Sequence, residues 1–170
     1  EAAPAIVRAL WGATLLACGV RLGGTLYPPF DAYDLTLNLG RFLRTIGGDL
    51  VDTNRSFEFR SGVTVYPAGP YLALMPGLLL GLTPKLAVQG GIALVDGLGA
   101  LATGALALRL GAGARAAVYA ALLYAAVPVM LTSLWFGHTA QVFGQGLMAP
   151  LALALLAALE RDGRRPRLVA

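Results

Sequence analysis

From Ala5 to Leu26 the chain carries no charged side chain except Arg8 and Arg21. A helix of that length, rising about 1.5 Å per residue, crosses the roughly 30 Å hydrocarbon core of a bilayer. Lipid offers no partner to backbone N–H and C=O groups, so such a run must pair them internally, as a helix does. Comparable runs recur at about 86–108, 116–134 and 142–159. Hydrophobic residues make up 57% of the chain and charged residues 13%, against roughly 25% charged in ordinary soluble domains. That polar surface is too small to cover a soluble fold of this size. The fold class predicted is therefore all-α: a polytopic transmembrane helix bundle with an extracytoplasmic first loop (27–85) that contains membrane-surface helices. No Ala-x-Ala cleavage pattern precedes the polar interval, so the first run reads as a span and not a signal peptide.

The formal net charge of +4 does not signal a nucleic-acid partner, because the arginines lie at segment ends and in the long loop, with no aromatic-interleaved patch. Lys85 is the one lysine among 13 basic residues, which together with heavy Ala, Gly and Leu use suggests a GC-rich bacterial genome. The lone Cys18 supports neither a disulfide nor a metal site and reads as a small buried hydrophobe.

Topology follows from charge. Tyr66–Leu82 is apolar and about the minimum length for a span, but Pro67, Pro70 and Pro76 interrupt it. If it does not cross, Arg8, Arg109, Arg115 and the cluster Arg161, Arg164, Arg165 and Arg167 share the cytoplasmic side with the N-terminus, as short cytoplasmic loops require. If it crosses, most of them move outside. Residues 67–82 are therefore expected to form a proline-bent helix on the membrane face. A second interfacial helix is expected at about 34–46, where Leu35, Leu39, Phe42, Leu43 and Ile46 form an apolar stripe and Gly47–Gly48 end the run. Asp49 to Gly62 is polar and reads as an irregular solvated loop. It has some calcium-loop flavour but lacks the required glycine and distal glutamate. The chain stops at Leu168–Val169–Ala170, where another span is expected to begin, so it reads as the N-terminal portion of a longer protein.

Within the spans, Arg8 and Arg21 are each placed to snorkel to an interface. Arg21 has the further option of facing a cavity and meeting a phosphate. Asp96 lies mid-span and has to face protein or water. Both a substrate contact and a bond to a neighbouring helix fit it. Asp31 and Asp34, just after the first span, fit a capping arrangement at a helix start as well as a catalytic one. His138 beside Trp135 fits an interfacial position.

One span, then a loop opening with Asp31–Ala32 and a helix, then Tyr66–Pro67–Ala68–Gly69–Pro70–Tyr71, a bent apolar helix and Arg-flanked spans: this layout resembles the N-terminal half of the GT-C-type polytopic glycosyltransferases. That group includes protein mannosyltransferases and bacterial aminoarabinose transferases. The resemblance covers nearly the whole chain on loose motifs. It implies a transferase moving a sugar from a polyprenyl-phosphate donor to an extracytoplasmic acceptor, in the bacterial plasma (inner) membrane. Asp31 would be the catalytic carboxylate and Asp34 its rival, while Tyr66 and Tyr71 would line the donor cavity. A phosphate leaving group calls for fixed positive charge, for which Arg60, Arg55, Lys85 and Arg21 are candidates. His138 and Gln141 stand where many members place an acidic residue, so a second polar group and a bound divalent cation are left open. Two other classes fit the same sequence. One is a transporter or channel subunit, if Asp96 and Arg21 line a pathway; the other is a non-catalytic membrane scaffold.

Overall fold

The computed structural model describes residues 2–27, 30–55 and 63–161. Helix α1 is Ala2–Thr25, α2 Leu35–Ile46, α3 Gly69–Leu74, α4 Pro76–Leu79, α5 Pro84–Arg109, α6 Ala114–Ala126, α7 Pro128–Phe136 and α8 Thr139–Arg161. Strands β1 (Val51–Arg55) and β2 (Val63–Pro67) form one antiparallel hairpin, with Val51 opposite Pro67 and Arg55 opposite Val63. Among the described residues four segments are long and apolar enough to cross a membrane, the signature of an integral membrane protein: Pro4–Thr25, Pro84–Arg109, Ala114–Phe136 and Thr139–Arg161.

Helix α5 is the axis against which α1, α6 and α8 pack. Small residues let them approach closely, as is usual where no hydrophobic effect drives helices together in lipid. A Cβ on Gly97 would sit 2.6 Å from Cys18 Sγ and 2.9 Å from its Cα, so only glycine fits at that crossing. Contacts along the axis set directions. Leu10 meets Gly104 and Arg21 meets Asp96, so α1 is antiparallel to α5. Val95 meets Gly146 and Arg109 pairs with Glu160, so α8 is parallel to it. The long loop and the α7–α8 turn therefore share one end of the bundle, the loop end. Arg8, Arg109, Arg115 and Arg161 fall at the other.

The third crossing is not one helix. At Val127 the backbone is extended (φ −62°, ψ 115°), and α7 restarts at Pro128. Proline has no N–H, so the carbonyl of Tyr124, four residues back, loses its helical donor. Arg21 supplies the replacement. Its guanidinium donates to Tyr124 O (3.3 Å), to Ala125 O (3.2 Å) and to Ala17 O (3.3 Å), and its Nε pairs with Asp96. The Tyr124 hydroxyl donates to the other Asp96 oxygen at 2.7 Å. Arg21 and Asp96 are both 0% exposed. Snorkelling to the interface, expected for Arg21, therefore does not occur. The broken helix beside it offers carbonyls, and Asp96 offers the counter-charge, inside the bundle.

The loop end departs from the sequence reading in two places. Val51–Arg55 pairs with Val63–Pro67 as a strand where Asp49 to Gly62 was expected to be an irregular loop, so the fold is helical with one small sheet and not purely α. The bent helix expected over 67–82 is present over Gly69–Leu79: Met75 keeps helical dihedrals (φ −54°, ψ −38°), its N–H donates to Tyr71 O at 3.1 Å, and Pro76 follows it. The chain leaves β2 at Pro67, runs through α3 and α4, and reverses at Gly81 (φ 79°). Leu74 packs on Gly91, and Gly77 faces Ala87, so this segment lies along the first turns of α5 and does not cross. Helix α2 is rotated relative to its stripe: Leu35, Leu39 and Phe42 face the core, and polar neighbours join them. Asn38, Arg41 and Thr45 are buried together with Leu35 and Phe42, whereas Leu37, Leu43 and Ile46 are exposed. Each buried polar group has a partner: Asn38 Nδ2 donates to Asp34 O and Gly137 O, Arg41 stacks over Tyr66, and Thr45 donates to Arg41 O. Phe42, Tyr71, Val88, Ile92, Leu134 and Val142 form the core beneath α2.

Candidate functional site at the loop end

Asp31 is held in the short segment between α1 and α2, and the α7–α8 turn fixes that segment. Gly137 closes α7 in the left-handed conformation (φ 85°), and a Cβ there would also lie 3.2 Å from Ala32 Cβ. Glycine alone meets both demands. The turn then stitches itself to the loop: Asp34 N–H donates to Phe136 O at 3.0 Å, and Asn38 Nδ2 to Gly137 O at 2.8 Å. Asp34 occupies the N-cap position of α2 without a side-chain capping bond. The capping role expected for it is therefore not what its carboxylate does here. Asp31 is no cap either. Its carboxylate pairs with the Lys85 ammonium at 2.5 Å, with the two side chains 70% and 42% exposed. Lys85 stands in the first turn of α5, where Thr83 accepts from the Leu86 N–H and Pro84 starts the helix. Two candidates lying 54 positions apart in sequence thus meet at one edge.

That edge borders a cleft of about 170 Å³, between the end of α1 and the start of α5, lined by Thr25, Leu26, Tyr27, Thr83, Lys85, Leu86 and Gln89. A second, smaller space of about 20 Å³ adjoins it, against Asn38, Gly137, His138 and Thr139. Thr25 and Gln89 line both. Gln89 is buried, and its Nε2 has no hydrogen-bond partner among the described residues. Sequence reasoning passed over Gln89 and Gly137. A glutamine in an apolar helix was a usable signal, since such residues seldom face lipid.

The remaining candidates are dispersed. Tyr71 is 2% exposed, with its hydroxyl donating to Asn38 Oδ1 at 2.7 Å. Tyr66 lies under the Arg41 guanidinium, 3.4 Å from the ring centroid. Both tyrosines pack the hairpin and α3 onto α2 instead of lining the cleft. Arg21 is enclosed in the bundle with Asp96, away from any leaving group at the rim. Arg55 contributes backbone to β1, and Arg60 lies outside the described residues. His138 is exposed and 6.0 Å from the Phe136 ring, in a groove of about 220 Å³ with Pro128, Val129, Thr132 and Ser133. Gln141 is exposed on α8, and none of the described contacts joins it or His138 to Asp31.

Among the described residues no group of three or more His, Cys, Asp or Glu side chains converges. Among the described residues the partner of the Asp31 carboxylate is the Lys85 ammonium. Comparisons with known protein families, with characterised proteins and with solved structures find no match. What the site can do has to be argued from its chemistry.

Proposed function

We propose that the chain belongs to a membrane glycosyltransferase that moves a sugar from a polyprenyl-phosphate donor to an acceptor at the extracytoplasmic face of a bacterial plasma membrane. The observation that carries this reading is the Asp31–Lys85 pair at the mouth of a cleft, at the end of an apolar bundle opposite Arg8, Arg109, Arg115 and Arg161. The positive-inside rule assigns that arginine-bearing end, and the N-terminus with it, to the cytoplasm. A donor whose tail stays in the bilayer presents its sugar at the depth where Asp31 stands.

The reaction needs a base for the acceptor and a counter-charge for the leaving group. The acceptor hydroxyl attacks the anomeric carbon while its proton passes to an Asp31 carboxylate oxygen. The bond from the anomeric carbon to the phosphate oxygen breaks, and the polyprenyl phosphate departs with the electron pair. Lys85 pairs with Asp31 until that carboxylate takes the proton, and it then offsets the charge that develops on the phosphate. General-base catalysis of this kind contributes about 10²–10⁴-fold. Arg21 and Asp96 are buried and paired with each other between helices, an arrangement that supports the enzyme reading over a transport pathway.

The test is Asp31→Asn in the full-length protein, assayed with a radiolabelled polyprenyl-phosphate sugar. Transfer is expected to fall by about 10²-fold or more. Membrane insertion and thermal stability should stay unchanged, because an exposed ion pair contributes little to folding. Full activity in this variant removes Asp31 as the base.

A further inference from the structure

Gln89 is 7% exposed, and its Nε2 donates to nothing among the described residues. An unmet amide N–H inside an apolar bundle is costly. A glutamine that bonds no neighbouring helix through that group is not serving as helix glue. Its terminal torsion is broad and roughly two-fold, so the amide can present its nitrogen to the cleft without moving its stem. The cleft measures about 170 Å³, far more than the roughly 10–15 Å³ that one water needs.

The lining says what kind of group fits. Lys85 is already matched by Asp31, so the mouth presents a balanced pair and not a bare cation. Thr25 Oγ donates to Arg21 O, which leaves its lone pairs free to accept. Thr83 Oγ accepts from Leu86 N–H, which leaves its own O–H to donate. Leu26, Leu86 and the Tyr27 ring supply apolar wall. Donors, acceptors and an apolar face in one small cleft suit a neutral ring with several hydroxyls better than a dianion.

We propose that this cleft is a binding subsite for a single sugar ring, in which Gln89 is the specificity-determining donor to one ring hydroxyl. Taking the ligand to be a sugar rests on the transferase reading; the cleft and the unmet amide do not. When the ring enters, Nε2 gains its missing acceptor, and a sugar lacking that hydroxyl leaves it unmet.

The experiment uses the whole chain in nanodiscs with its glutamines, Gln89, Gln141 and Gln145, labelled with nitrogen-15. Gln89→Leu assigns the Gln89 side-chain signal. Titration with n-octyl β-D-glucoside should shift that signal saturably, at a concentration at least about tenfold below any shift caused by tetraethylene glycol mono-octyl ether. In Gln89→Leu, read from the Thr25 methyl signal, half-saturation should rise about tenfold, the effect of one lost hydrogen bond. A Gln89 signal that ignores the glucoside overturns the subsite. So does one that responds equally to the glycol ether, or to octyl phosphate in place of the glucoside. Sugar transfer without a glucoside response defeats the subsite alone. A glucoside response in a protein that transfers no sugar defeats the transferase reading and leaves the subsite standing.

Discussion

Replacing Arg21 with Met is the most demanding perturbation of the bundle, because one guanidinium serves two needs. It neutralises Asp96, which is 0% exposed, and it caps the carbonyls of Tyr124 and Ala125 at the α6–α7 break. Removing one partner of a buried ion pair typically costs about 3–5 kcal/mol, since the other charge is left without compensation. For a chain of this length about 1 kcal/mol corresponds to roughly 2–4 °C, so Arg21→Met should lower the unfolding midpoint in detergent by about 6–20 °C. Adding Asp96→Leu removes the stranded charge and should restore more than half of the loss. The remainder belongs to the two carbonyls, at about 0.5–1.5 kcal/mol each. Pro128→Ala in the Arg21→Met background returns an N–H to Tyr124 O and should recover about 1 kcal/mol of that remainder. Thermal unfolding followed by circular dichroism reads the parent and all three variants. A single variant within 2 °C of the parent by that measure, or a double variant less stable than Arg21→Met, would refute the two-part role.

Gly137→Ala should lower stability by about 1–2 kcal/mol from the left-handed backbone alone, and sugar transfer should fall with it because Ala32, which the new Cβ meets, precedes α2 in the Asp31 segment. Unchanged stability and transfer would show that the turn does not hold Asp31. Gly97→Val should separate α1 from α5 at the Cys18 crossing, and maleimide labelling of Cys18, slow in the parent, should accelerate. Cysteines introduced singly at positions 31 and 115 should label from opposite sides of sealed cells, position 31 from outside; labelling of both from the same side would contradict the antiparallel arrangement of the spans.

How far the chain could be read in advance varied with the range of the interaction. The helix at Leu35–Ile46 was legible because its apolar spacing and its Gly47–Gly48 stop are local. Its facing was not. Asn38 and Arg41 turn inward only because Tyr71, Tyr66 and the Gly137 carbonyl come to meet them from distant elements. The hairpin was missed for a related reason. Val63, Val65 and Tyr66 carry β-propensity, but strand pairing depends on the partner, here the polar stretch Val51–Arg55.

Hydropathy and the placement of arginine were sufficient, alone, to determine how many segments can cross, roughly where they end and that 66–82 is not one of them. Each is a property of a contiguous stretch weighed against lipid or water. Tertiary structure alone decided which buried charges meet and which surface candidates share an edge. Arg21 and Asp96 lie 75 positions apart and Asp31 and Lys85 lie 54 apart. A residue's own hydropathy says that its charge needs a partner. Only the crossing of α1, α5 and α6, and the docking of the α7–α8 turn on the Asp31 segment, says where that partner stands.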